Sequence, residues 1–161
     1  MSQEDPSLAL LLALLDQAYD HRSWHGPNLL GSLRGVSWKR ALERPGPQRH
    51  CIWEIVLHCA YWKYVALRKL PPGMKRGSFL LKPANWPHLP AAPTPEDWEA
   101  AKACLHVYHE SLRRRALALE PHDLQARAGE WSVWQTLSGV AAHDLYHAGQ
   151  IQLLKKLTAR V

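Results

Sequence analysis

Residues 132–157 run SVWQTLSGVAAHDLYHAGQIQLLKKL without a proline. Ser132 and Gln135 are spaced for a capping box, in which each side chain bonds the backbone N–H of the other. Lys155 and Lys156 stand near the far end, where cations oppose the negative end of the helix dipole. The pattern predicts one long helix over 132–157.

Similar signals predict three more long helices, over 6–19, 50–70 and 94–119. Thr94 and Pro95 suit an N-cap and a first helical position, and Leu70 is followed by a Pro-Pro-Gly stop. A short extra helix is expected after the first one, opened by the Gly-Pro-Asn at 26–28. Sustained apolar–polar alternation is almost absent, so few strands are expected. The fold class is therefore all-α, a four-helix bundle with a Pro-rich loop over 71–93 packed on it.

Composition excludes several classes of protein. The chain has 161 residues, of which 47% are hydrophobic, and this suits a single domain over 1–161 and excludes wholesale disorder. Three cysteines without C-x-x-C spacing argue against a disulfide framework and favour a reducing cytoplasm. The apolar run 8–15 is flanked by Glu4 and Asp5, where a signal peptide needs positive charge, and is too short to span a bilayer. We expect a cytoplasmic protein with no membrane partner.

The net charge of +6 permits anionic partners without identifying one. Helix ends and a solvated face account for most of the basic residues, and no helix-turn-helix, zinc-finger or RNA-binding signature is present. We therefore expect no nucleic-acid partner.

The predicted second helix is unusually apolar. Lys63 is its only charge between residues 55 and 67. A helix that is apolar on nearly all sides is buried all round or faces another chain. Two interpretations stay open: a homodimer formed through this helix, or coverage by the 71–93 loop.

Two histidines of the last helix have the spacing of metal ligands. Four helical steps place His143 and His147 about 40° apart, with roughly 6 Å between their Cβ atoms, so both rings can reach one ion. The arrangement resembles H-E-x-x-H, but the glutamate of that motif is missing, so a zinc-protease interpretation fails. Alone, the pair is also compatible with a structural or surface role.

His58 strengthens the case for a metal. It lies in the apolar run VLHCA at 56–60, where an unpaired polar group is costly. It either makes a single hydrogen bond to a carbonyl or carboxylate, or it supplies a third ligand from a facing helix. Three neutral imidazoles leave an open coordination position, the pattern of catalytic zinc sites.

Two segments carry a family resemblance, IWEIVLH at 52–58 and GVAAHDLYHAGQI at 139–151, supported by WHGPNLL at 24–30 and NWP at 85–87. The chain resembles the DinB/YfiT-like family over nearly its whole length. The resemblance implies a four-helix bundle, a divalent metal (zinc or nickel) and, in many members, a homodimer. It implies metal ligation by three residues: His58, His143 and His147.

Some members of that family are thiol-dependent transferases or isomerases. The resemblance therefore implies a metal-dependent enzyme with a small-molecule substrate and a low-molecular-weight thiol as cosubstrate, or a hydrolase that uses water instead. The alternative is a non-catalytic, dimeric metal-binding bundle with a structural or stress-sensing role.

Four further residues carry polar groups that could act at this site. Gln150, three residues after His147, is a catalytic candidate that could hold the imidazole or a bound water. Glu54 is expected to cap its own helix rather than reach His58. His25, at a helix junction, is either a proton carrier or a surface histidine. Cys59 is expected to point away from the ion and is not a ligand.

Overall fold

The computed structural model describes residues 6–73 and 77–158, so Glu4 and Asp5 lie outside the described residues. Its elements are the helices α1 (Ser7–Tyr19), α2 (Leu29–Ser32), α3 (Trp38–Ala41), α4 (Ile52–Lys69), α5 (Pro95–Leu117) and α6 (Val133–Leu157), a 3₁₀ helix (Pro121–Gln125) and the strands β1 (Arg127–Ala128) and β2 (Trp131–Ser132). Helix α4 packs most extensively on α5, and α6 packs on α1, α4 and α2. The long helices α1, α4, α5 and α6 confirm the predicted all-α bundle, and α2 is the expected short helix.

The predicted helix starts are formed by local hydrogen bonds. Ser132 Oγ accepts from the Gln135 N–H at 3.2 Å, and Gln135 Oε1 accepts from the Ser132 N–H at 2.9 Å. At α5, Thr94 Oγ1 accepts from the Asp97 N–H at 3.2 Å. At α4, Glu54 accepts from the Cys51 N–H at 2.9 Å, as expected for a cap. These bonds satisfy N–H groups that the first turn of a helix leaves unpaired.

Three short elements were not predicted: α3, the 3₁₀ helix and the hairpin of β1 and β2. Each spans only two to five residues, too few for a hydrophobic period to be seen in the sequence. The hairpin turns at Gly129 and Glu130, and Gly129 has a φ of 82°. Glycine at the first central position is the requirement of a type II′ turn, which joins two strands without an Asn-Gly or Asp-Gly pair.

The Pro-rich loop packs over α4, as one of the two interpretations of that helix predicted. Phe79 is buried, and its ring lies 5.5 Å from that of Tyr61 and 5.6 Å from that of Tyr64. Trp86 covers His58 further along the same helix. The apolar surface of α4 is thus largely covered within one chain, and a homodimer stays a prediction that the oligomeric state in solution tests.

Within the described residues, no helix combines the length and the apolar character needed to cross a bilayer.

Candidate metal centre

The three histidines come together from the middle of two facing helices. His58 belongs to α4, and His143 and His147 lie one turn apart on α6. His143 Nε2 lies 3.2 Å from His58 Nε2 and 3.1 Å from His147 Nε2. Tetrahedral ligation with metal–nitrogen bonds of about 2.05 Å separates neighbouring nitrogens by about 3.3 Å. The observed spacing therefore fits three ligands of one ion.

The second ring nitrogen fixes the tautomer of two of these histidines. His58 Nδ1 lies 2.9 Å from the Asn85 carbonyl oxygen, and His147 Nδ1 lies 2.8 Å from Gln150 Oε1. Because both partners are assigned as acceptors, both Nδ1 atoms carry the proton and both Nε2 atoms present lone pairs. His143 Nε2 has at most one proton to offer to these two lone pairs. A cation satisfies all three nitrogens at once, so the donor set fits a metal ion.

The site also keeps the rings in the form that a metal requires. Burial lowers the pKa of His143 to about 3, assisted by His147, His58 and Lys63. Burial likewise lowers the pKa of His147 to about 4, and it lowers the pKa of His58. All three imidazoles are therefore neutral at physiological pH and able to donate a lone pair.

A stack of three rings supports His58 from the loop side. Trp86 lies between His58 and His50, with ring centroids 3.8 Å and 3.6 Å away and interplanar angles of 9° and 6°. His50 Nδ1 in turn lies 3.3 Å from Glu54 Oε2. The loop that covers α4 thus holds a candidate ligand through both the Asn85 carbonyl and the Trp86 indole.

Glu54 anchors the end of this stack. It receives two hydrogen bonds of 2.7 Å from the Arg44 guanidinium, in addition to the one from the Cys51 N–H. Burial acts to raise the pKa of Glu54, but the bonds from Arg44 and Cys51 outweigh it and hold the pKa below its ordinary value of 4.5. Glu54 is therefore an ionised structural partner at the start of α4 and does not contact His58 Nδ1.

The histidines lie at the base of a cleft of about 980 Å³. Its walls combine apolar residues of α6, among them Leu153 and Leu157, with aromatic rings from three elements, among them Trp62, Trp86 and Tyr146. No aspartate or glutamate is among the described residues that line it, whereas Arg49 and His50 stand at its edge. A bound metal would thus face a cleft that offers apolar contacts and positive charge.

A second polar group lies behind the histidines, inside the bundle. Lys63 and Asp144 are both 0% exposed and form a salt bridge between α4 and α6. Burial raises the pKa of Asp144, and Lys63 opposes that effect. Burial also raises the pKa of the Cys59 thiol well above its ordinary value, with Asp144 acting in the same direction. Cys59 is therefore a neutral thiol, and it is absent from the cluster of three histidines.

Of the two other candidate site residues, one contacts the histidines and the other lies away from them. Gln150 contacts His147 as expected. His25 lies exposed in the turn after α1 and does not line the cleft, which is the surface interpretation of that residue. Sequence reasoning missed the parts played by His50, Asn85 and Trp86.

The Lys63–Asp144 pair was also missed. A single lysine within an apolar helix was the available signal for it, because a buried cation needs an anionic partner.

The fold and the site together define an all-α helical-bundle protein with a group of three histidines, two buried and one half-buried, that could hold a metal ion. The family model of the DinB superfamily matches residues 20–151, a range that contains all three. The chain belongs to the DinB superfamily, which confirms the resemblance found in its sequence. No curated protein and no solved structure matches it.

Proposed function

We propose that His58, His143 and His147 bind one divalent metal ion, zinc or nickel. In the cleft above them, the protein catalyses the transfer of a low-molecular-weight thiol to a small electrophilic substrate. The observation that supports this most directly is the convergence of three Nε2 atoms at the base of an open cleft. A divalent ion held there would supply a Lewis acid that lowers the pKa of a thiol at an open coordination position.

The reaction needs a proton acceptor as well as an electrophile. The thiol gives up its proton, the sulfur lone pair forms the new C–S bond, and the leaving group departs with its bonding pair. A basic leaving group takes up the proton, whereas chloride leaves as the anion and the proton passes to solvent. His50 is the acceptor that the cleft offers, because a neutral His50 that donates its Nδ1–H to Glu54 keeps a lone pair on Nε2. The proposed role of His50 is to take the thiol proton and pass it to a basic leaving group or to solvent.

The cleft wall favours this chemistry over hydrolysis by a carboxylate base. Among the described residues that line it, none is an aspartate or glutamate, so no carboxylate is placed to activate water. Leu153 and Leu157 instead offer an apolar surface to the body of an organic electrophile. A purely structural ion needs no open position, and the open cleft therefore favours an enzyme over a non-catalytic bundle.

Metal content tests the first half of the proposal. Protein purified without an affinity tag is analysed for zinc, nickel and copper, alongside His58→Ala and His25→Ala variants. We expect one equivalent of metal in the wild type and in His25→Ala, and a loss of that metal in His58→Ala. Equal metal content in all three proteins would contradict the assignment of His58 as a ligand.

Thiol chemistry tests the second half. Cobalt-substituted protein is titrated with 2-mercaptoethanol, and a sulfur-to-cobalt charge-transfer band is expected. Thiol-dependent turnover of 1-chloro-2,4-dinitrobenzene should fall in His147→Ala, which removes a ligand, and in His50→Gln, which removes the proposed base but keeps the metal. A loaded protein that shows neither the band nor turnover supports the non-catalytic alternative instead.

A further inference from the structure

Two of the three histidines have a visible hydrogen-bond acceptor for the nitrogen that points away from the ion. These acceptors are the Asn85 carbonyl for His58 and the Gln150 side chain for His147. For His143 no hydrogen bond of Nδ1 is found within residues 6–73 and 77–158. Metal-ligating histidines almost always donate this second N–H to a carboxylate, a carbonyl or a water. Among the described residues, His143 therefore has no protein acceptor of the kind that the other two possess, and its Nδ1 is not fully buried, so water can reach it.

A buried carboxylate with a free oxygen lies beside it. Asp144 is 0% exposed, its Oδ2 is held by Lys63, and its Oδ1 has no hydrogen-bond partner in the described part of the chain. A carboxylate oxygen of Asp144, a ring nitrogen of His143 and Cys59 Sγ lie within 4.8 Å of one another. A buried acceptor without a partner is costly and calls for a structural reason.

These two unmatched groups complement each other. We propose that Asp144, fixed in place by Lys63, positions His143 by accepting a hydrogen bond from its Nδ1–H when the site holds its metal. The proposal rests on the metal binding proposed above. It makes Asp144 and Lys63 positioning residues, which orient the third ligand from inside the bundle while the loop and Gln150 orient the other two from outside.

The physical reason lies in what each state of the site requires. Without an ion, the proton of His143 can sit on Nε2, between the lone pairs of His58 and His147, so Nδ1 needs no acceptor. With an ion, Nε2 is committed to the metal and the proton must move to Nδ1. A rotation of the imidazole or the carboxylate would bring the two groups into hydrogen-bond contact, and the negative charge would make the ring a better ligand.

Two other uses of this cluster are less consistent with its charges. Cys59, His143 and Asp144 could in principle hold a second cation. The Lys63 ammonium already donates to Asp144, however, and its positive charge would repel a second cation. The Cys59 thiol could donate to Asp144 in place of His143, although no hydrogen bond joins them. The second possibility is included in the test.

The test compares variants that keep the volume of the buried pair. The double variant Lys63→Met with Asp144→Leu removes both charges and the acceptor without leaving a buried ion unpaired. Lys63→Met with Asp144→Asn removes the charges but returns a neutral oxygen acceptor. Cys59→Ala tests the thiol, and Gln150→Leu shows the effect of losing an acceptor whose hydrogen bond is seen directly.

Zinc affinity of each protein is measured by competition with a chromophoric chelator, and the metal-free proteins are compared by thermal unfolding. We expect Lys63→Met/Asp144→Leu to bind zinc about 10- to 100-fold more weakly than the wild type. The Asp144→Asn version should recover part of that loss, and Cys59→Ala should leave affinity unchanged. A merely structural pair would change the unfolding temperature of the metal-free protein without this graded effect on affinity.

A second measurement uses the wild type alone and does not depend on the folding of any variant. In the ¹⁵N spectrum of zinc-loaded protein, the His143 Nδ1–H is expected as a slowly exchanging proton that the metal-free protein lacks. A rapidly exchanging Nδ1–H overturns the proposal, as does wild-type affinity in the folded Lys63→Met/Asp144→Leu variant or a loss that occurs in Cys59→Ala instead. If the wild type binds no zinc, the proposed metal site itself fails.

Discussion

Replacing Gln150 with leucine removes the acceptor of the His147 Nδ1–H and leaves a side chain of similar length on α6. The bond that is lost spans 2.8 Å, and His147 is only 4% exposed, so water cannot readily replace the amide oxygen. A buried N–H left without a partner costs about 1–3 kcal/mol. The question is whether the metal-free protein bears this cost as well.

The metal-free protein has a way to avoid it. His147 Nε2 lies 3.1 Å from His143 Nε2, so in the metal-free variant the His147 proton can move from Nδ1 to Nε2 and be donated to His143 Nε2, with the His143 proton then on Nδ1. With an ion, Nε2 is committed and the unpaired N–H remains on Nδ1. The cost therefore falls on the loaded state and lowers affinity, by about 10- to 100-fold.

Zinc competition with a chromophoric chelator measures this loss directly. Gln152→Leu is the matched control, because Gln152 lies on the same helix and makes no side-chain hydrogen bond among the described residues. We expect weaker zinc binding in Gln150→Leu, wild-type binding in Gln152→Leu, and unchanged thermal unfolding of both metal-free proteins. Wild-type affinity in Gln150→Leu, or equal losses in the two variants, would contradict the role assigned to the Gln150 amide oxygen.

Three further changes probe the fold and the support of the site. Leu112→Ala, at a fully buried position, should lower the free energy of unfolding in urea by about 2–5 kcal/mol. Leu157→Ala, at a position that is 59% exposed, should lower it by less than about 1 kcal/mol. Equal losses in the two variants would contradict the assigned core. The pKa of Glu54 is lowered by folding, so its ionisation stabilises the protein above its ordinary pKa, and this contribution is lost as the pH falls through the folded-state pKa. The stability difference between wild type and Glu54→Gln should therefore shrink between about pH 6 and pH 3 in urea titrations, and a constant difference argues against the ion pair. Trp86→Ala removes a ring stacked on His58 and should weaken zinc binding by about tenfold or less in the same chelator assay. Trp86→Phe keeps an aromatic ring and should bind zinc more nearly like the wild type. An unchanged affinity in Trp86→Ala would show that the stack does not position His58.

The long helices were predictable because their signals are local. The bonds that cap α6 join Ser132 to Gln135, three residues apart, and the spacing of His143 and His147 is set by a single helical turn. The short α3 and the hairpin at Gly129 escaped prediction, because a few residues carry no period and the turn uses glycine in a less familiar pair.

The helices, their caps and the pairing of two imidazoles on one face of α6 follow from local sequence, since each depends on residues within one or two turns of each other. The surroundings of these elements depend on contacts between residues that are distant in the chain. His58 meets Asn85 across 27 residues and His143 across 85, and Lys63 meets Asp144 across 81. Such contacts follow from how the bundle packs and how the loop folds back over α4, and no helical period records that packing.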